Sequence, residues 1–269
     1  MTPKEKHFSD AAPRGMLRGN MLIHHAAGHY DFLKGIDPYS CGVVAKPGWE
    51  IAHVTMPSLV PWQQGFDFVD EFLRGAGQGR LALCAMELRS PEPFSMAGFI
   101  EFNRSYRAVL EQWGVLVQGV NPVARTNVAP MTQAPASVCL HAFSHVRPNP
   151  KIRRPTFVVA GAGELREGTL ESNRIIRRGE TSAAAMLEKA AYVLDVMEER
   201  LTGLGVHWSQ VTCVNVYTIH PMDAPLRDLV LRRLGPAARC GLCWHVTRPP
   251  VLEIEFEMDL RGVLSETWL

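Results

Sequence analysis

The sequence predicts an α/β chain of two related halves, and three observations lead there. One succession of amphipathic helix, apolar strand, lone-arginine segment and closing strand is read twice along the 269 residues. The lone arginines, Arg125 in "NPVARTNVAP" and Arg239 in "GPAARCGLCWHV", lie 114 residues apart, and the same 114 separates Cys139 from Glu253 in the closing strands. Between the halves, "HVRPNPKIRRPTF" at 145–157 gathers three prolines and four basic residues, as a linker would. A chain of this length can bury the interior of two modest domains.

In the first half, "FDFVDEFLRGAGQG" reads as an amphipathic helix stopped by glycines, and "LALCAMEL" as a strand ending at Ser90-Pro91. A second helix follows in "SMAGFIEFNRSYRAVLEQWG", where Phe99, Phe102, Tyr106 and Leu110 share a face. The Arg125 segment then reads as a turn before the strand "ASVCLHAF". In the second half, Thr181 or Ser182 caps a helix in which Met186, Ala190, Val193, Met197 and Leu201 recur at helical spacing, with Gly203 and Gly205 closing it. "VTCVNVYTI" is a strand ending at His220-Pro221. From Pro221 to Arg239 there are 18 residues where Pro91 to Arg125 has 34, so the second helix is expected to be reduced or absent there. "VLEIEFEM" sets Leu252, Ile254, Phe256 and Met258 against Glu253, Glu255 and Glu257, the period of a strand.

Composition excludes several functions. With 28 Lys and Arg against 27 Asp and Glu, the chain has no field to attract nucleic acid or an acidic membrane surface. The N-terminal "MTPKEKHFSDAAPRGML" lacks the apolar stretch of a signal peptide, and no run approaches a membrane span, so a cytoplasmic protein with reduced, dispersed cysteines is expected. His25 and His29 lie four apart, and Cys240 and Cys243 form a CxxC, but neither pair has a companion set. No metal and no cofactor are expected, and "GAGE" at 161–164 lacks the setting of a nucleotide loop.

The ordered set of Pro-x-Ala-Arg segment, helix asparagine, glycine-containing strand and Glu-Ile-Glu strand resembles the Rid (YjgF) superfamily of enamine and imine deaminases. The resemblance spans most of both halves. It implies two tandem chorismate-mutase-like domains, each a mixed sheet packed on helices, at 1–147 (with an N-terminal extension) and 148–269. In the second half "RPTFVVAGAGE" matches the family's glycine strand, with Ala160 where the family has serine before Gly161. "PAARC" matches its arginine motif and "LEIEFEM" its closing strand, which implies Arg239 as carboxylate ligand and Glu253 as acid/base group. In the first half Tyr39, Asn103 and Arg125 match the tyrosine, asparagine and arginine positions, while Cys139 stands at the glutamate position and His53-Val54 at the serine-glycine pair.

The residue types suit that chemistry. A guanidinium is a permanent cation whose planar fork grips a carboxylate at two points, and a carboxylic acid beside it can move protons between carbon and nitrogen. The competing readings are structural: arginines that pair carboxylates of the other half, glutamates on a solvated edge, and His53 and His141 as satisfied core histidines. The resemblance implies a cofactor-free hydrolytic deaminase of a small enamine or imine carboxylate, 2-aminomuconate-like if two arginines serve two carboxylates. It also implies a homotrimer. Because the first half lacks the glutamate and the second lacks the serine and the asparagine helix, a composite site is expected in which one half supplies the arginine and the other Glu253. A non-catalytic ligand-binding tandem module and a chorismatase-like enzyme are the alternatives.

Overall fold

The computed structural model describes residues 21–166, 168 and 170–269; the N-terminal extension and the leader region considered above lie outside them. The chain runs through β1 (Leu22–His25), β2 (Tyr30–Leu33), β3 (Gly42–Ala45), β4 (Trp49–Pro61), α1 (Trp62–Gly75), β5 (Leu83–Arg89), α2 (Met96–Gln112), β6 (Ala124–Pro130) and β7 (Cys139–Pro148). It continues through β8 (Phe157–Gly163), α3 (Ala183–Gly203), β9 (Cys213–Tyr217), α4 (Ala224–Leu234), β10 (Cys243–His245), β11 (Thr247–Arg248), β12 (Glu257–Gly262) and β13 (Ser265–Trp268).

These strands form two mixed sheets, ordered β1-β2-β3-β8-β12-β9-β10 and β11-β6-β5-β7-β4-β13. Four layers result. Helices α3 and α4 bury Met186, Val193, Met197 and Val230 against Val159, Val214 and Met258 of the first sheet. Helices α1 and α2 bury Phe66, Val69, Tyr106 and Leu110 against Val54, Met86 and Phe143 of the second. The two sheets meet through Tyr30, Phe32, Val43, Ile51, Ala85, Ala124 and Ala160. A strand sends alternate side chains to opposite faces. In β12, therefore, Met258 and Leu260 face the helices, while Glu257, Asp259 and Arg261 occupy the other face.

Each sheet borrows strands from the other half of the sequence. β3 pairs with β8 (Gly42 opposite Val159), so the first three strands complete the sheet of the second half. In return β13 pairs in parallel with β4 (Ser265 opposite Ala52), and β11 pairs with β6.

Local chemistry explains the helix starts. Ser95 Oγ accepts from Gly98 N at 3.1 Å to cap α2, and Ser182 Oγ accepts from Ala185 N at 3.3 Å to cap α3. The eleven-residue α4 lies where the first half has the seventeen-residue α2.

Three sequence-based expectations change. The run read as a linker at 145–157 begins inside β7, which extends to Pro148 because "HVRP" pairs along β4 from Trp49 to Ala52. The Arg125 segment is the strand β6, not a turn, and Arg125 pairs in register with Met86 of β5. "VLEIEFEM" becomes a strand only at Glu257. Before that the chain turns, with Glu253 in the left-handed region at φ 72°. The reason is Glu164, whose carboxylate accepts the Glu255 and Phe256 N–H groups at 2.7 and 3.0 Å, taking the donors that a ladder would use. Glu164 is itself held at 2.9 Å by Lys189 Nζ, and both side chains are fully buried.

Candidate functional site

A cavity of about 160 Å³ opens between the two halves. Tyr39, Phe99, Arg125 and Asn127 line it from the first half, and Gly161, Leu165, Arg200, Ile254 and Glu257 from the second.

Arg125 lies at its floor and is 3% exposed. Strand β6 carries it toward α2, where Asn103 Oδ1 accepts from Nη2 at 2.5 Å. The guanidinium carbon sits 4.7 Å from the Tyr39 ring centre and 4.6 Å from that of Tyr106, with Phe99 and Phe102 at 5.6 and 5.5 Å. Ring faces stabilise a cation without neutralising it. Burial presses the guanidinium's pKa below its ordinary value, but an arginine remains charged at any physiological pH. Its Nε and Nη1 have no hydrogen-bond partner, and neither does Nδ2 of Asn103 or of Asn127. Buried polar groups are ordinarily paired, and all four of these are donors. A site that gathers orphaned donors around a permanent cation is built to take an anion, and a carboxylate matches the fork.

Glu257 is the acid of the cavity. It opens β12, pairs with Gly163 and Tyr217, and is 4% exposed. Burial, then the neighbouring Asp259 and Glu164, push its carboxyl well above the usual carboxylate range, and Arg200 and Arg125 only partly oppose this. This environment favours the protonated form of Glu257, the form that can donate a proton. A Cβ on Gly161 would stand 2.2 Å from Glu257 Oε1, so the absence of a side chain there is what admits the carboxyl. Arg200 reaches in from α3 and donates to the carbonyls of Ala160 and Gly161 at 2.9 and 3.4 Å.

Of the residues singled out from sequence, Tyr39, Arg125 and Gly161 line this cavity, and Asn103 orients Arg125. Three others lie elsewhere. Glu253 is on the surface, in a two-pronged ion pair with Arg178 at 2.8 Å. Arg239 is exposed on a 3-10 turn (Gly235–Cys240) and donates to the Ser209 carbonyl at 3.2 Å. The strand beside β9 that corresponds to β6 begins only at Cys243, so the matched spacing of the two arginines does not put them in matched places. His53 is buried between the sheets, 3.1 Å from Ser144 Oγ and 3.7 Å from Glu87; burial lowers its pKa, against the pull of Glu87.

Sequence reasoning did not single out Glu257, Arg200 or Asn127. For Glu257 no local signal separates it from Glu253 and Glu255, because the contact that decides, Glu164 with the Glu255 and Phe256 N–H groups, is distant in sequence. Among the described residues no group of three or more His, Cys, Asp or Glu could hold a metal ion. His29 is stacked on Trp49 at 3.6 Å, and His25 packs edge-on against Tyr30. No helix of the described residues is long and apolar enough to cross a membrane.

Comparison with known proteins places the chain. A family model described as 2-aminomuconate deaminase CnbZ matches residues 22–267. A 2-amino-5-chloromuconate deaminase from Comamonas testosteroni is 39% identical over 244 residues, covering 90% of this chain and 96% of that protein. Among solved structures, a chorismatase aligns over 83% of this chain and 77% of its own at 11% identity, with a TM-score of 0.49. A putative endoribonuclease from Thermotoga maritima aligns over 50% of this chain and 91% of its own at 20% identity, with a TM-score of 0.30.

Proposed function

The chain belongs to the 2-aminomuconate deaminase CnbZ family, and from that premise we propose that it hydrolytically deaminates a 2-aminomuconate-like enamine acid in the cavity between its halves. One observation carries the reading: Arg125, with two unpartnered guanidinium donors, and Glu257, whose carboxyl burial biases toward its protonated form, come from opposite halves and line the same small cavity.

In this reading the carboxylate next to the amino carbon sits on Nε and Nη1 of Arg125, with the Asn127 amide beside it. The Glu257 carboxyl gives its proton to the enamine carbon, and the substrate becomes an imine. Water adds to the imine carbon and yields a proton to the Glu257 carboxylate. The nitrogen takes up that proton, the carbon–nitrogen bond breaks as the carbinolamine hydroxyl returns its proton to the Glu257 carboxylate, and ammonia leaves a 2-oxo acid. Overall, enamine acid and water become oxo acid and ammonia, with Glu257 returned to its starting state. Proton transfer by a positioned acid of raised pKa accelerates such steps by about 10²–10⁴-fold.

The test is ammonia release from purified protein offered 2-aminomuconate, 2-aminoacrylate, 2-iminobutyrate and chorismate separately. Release from 2-aminomuconate is expected; no release from any of the amino and imino acids would leave a ligand-binding module in its place. Turnover of chorismate alone would favour the chorismatase-like alternative.

Two further results are expected. Gly161→Ala should still fold, because its methyl would meet the side chains of Glu257 and Thr126 and not backbone, yet lose most activity by displacing the Glu257 carboxyl. Glu253→Gln and Arg239→Ala, both outside the cavity, should each keep kcat and KM within about twofold, since solvent-exposed contacts of this kind contribute little and touch none of the residues lining the cavity. A tenfold loss in either variant would return the role to the residue changed.

A further inference from the structure

The cavity carries more positive charge than one carboxylate requires. Among the described residues its lining includes Lys34, Arg125, Arg166 and Arg200 and one carboxyl, Glu257. These cations are not equivalent. Arg125 and Arg200 are buried at the inner end, and Arg200 is engaged with the Ala160 and Gly161 carbonyls. Lys34 and Arg166 are exposed at the outer end. Neither side chain forms an ion pair or a side-chain hydrogen bond with any described residue. The lining also includes apolar side chains, Phe99, Leu165, Val251 and Ile254, so buried cations, exposed cations and apolar surface share one cavity.

We propose that Lys34 and Arg166 are a second anchor, reading the distal carboxylate of an extended dicarboxylate whose first carboxylate lies on Arg125, and that they set the preference for diacids over monoacids. The inference rests on the cavity being the deamination site, and it adds residues that select the substrate without touching the reacting carbon.

The chemistry favours this division of work. A conjugated diacid has two charged ends and a flat apolar middle, which matches the composition of the lining. A monoacid of the same skeleton leaves the rim cations in water at no cost, so selectivity comes from added attraction to the diacid. Because the rim pair is exposed, that attraction is screened by salt, whereas the Arg125 contact is buried and screened far less.

Muconate and sorbate separate these contributions, since they share a conjugated diene skeleton and differ by one carboxylate, and neither has an amino group to lose. Calorimetric binding to the full chain should show muconate preferred by about tenfold or more at low salt, in the range of a charge-assisted contact. Lys34→Ala and Arg166→Ala should each reduce the preference, and the double variant should abolish it with sorbate affinity unchanged, which also shows that the variant is folded. Raising the ionic strength should weaken muconate binding more than sorbate binding. A preference that survives in the double variant, an equal loss for both ligands, or no preference in the unaltered protein would each overturn the proposal. The two readings fail separately. Protein that releases no ammonia from 2-aminomuconate but loses its muconate preference in the double variant would sink the deaminase and keep the anchor. Normal ammonia release with an unaltered preference would do the reverse.

Discussion

Glu257→Gln is expected to lower kcat for ammonia release about a hundredfold or more while leaving muconate binding within about twofold. Glutamine keeps the shape and a donor beside Gly161 but has no proton to transfer, so the loss should fall on turnover and not on affinity. The pH profile supplies a second readout. Burial beside Asp259 and Glu164 holds the carboxyl well above the usual carboxylate range, so the donating form persists to higher pH than in a solvated glutamate. Activity should therefore persist below the folded-state pKa of Glu257 and decline as pH rises through it. In the glutamine variant the residual activity should lack that basic limb. Full kcat in Glu257→Gln, or an unchanged basic limb, would remove Glu257 from the chemistry.

Arg125→Ala should cost about 2–4 kcal/mol in kcat/KM, a factor of roughly thirty to a thousand, because a buried carboxylate would lose its only two-pronged partner. Stability should move differently. In the free protein Arg125 is a desolvated cation with two unpaired donors, ringed by Tyr39, Tyr106, Phe99 and Phe102. Replacing such a group with an apolar side chain of similar reach often leaves stability unchanged or raises it. Arg125→Met is accordingly expected to be inactive with a melting temperature equal to or above that of the parent. Arg125→Lys keeps the charge without the fork and should fall between. An Arg125→Met protein that unfolds at markedly lower temperature would make the residue structural; one with native kcat/KM would place the carboxylate elsewhere.

How much of this was legible in the sequence depends on whether the deciding contact is local. Arg125 was identifiable as a lone arginine among small residues, and Tyr39, Asn103 and Gly161 because they match motif positions of the family that the sequence resembles. The acid was not. Glu253, Glu255 and Glu257 share one parity, and a period of two cannot choose between them. The choice is made by Glu164, ninety residues earlier, which draws the Glu255 and Phe256 N–H groups out of the ladder and leaves Glu257 as the first paired residue. Arg239 misled for a related reason: "PAAR" copies the composition of "PVAR", but it continues from α4 into a 3-10 turn instead of entering a strand. The helices were found because their apolar faces repeat locally. The exchange of strands between the halves left no such trace, since pairing partners are chosen across the whole chain.

That exchange bears on how the protein reaches its native state during synthesis. Strands β1 to β3 emerge early but have no partner until β8 is made, and the outer edge of β4 stays open until β13 arrives. Neither sheet can close while the ribosome is still producing the second half, and contacts of such long sequence separation form slowly. The nascent first half must therefore wait with unpaired strand edges, the state in which chains are most prone to pair with one another. Yield of soluble protein should depend on holdase chaperones more than the stability of the finished fold would suggest, and a nick in the 149–156 loop after folding should leave two fragments that travel together.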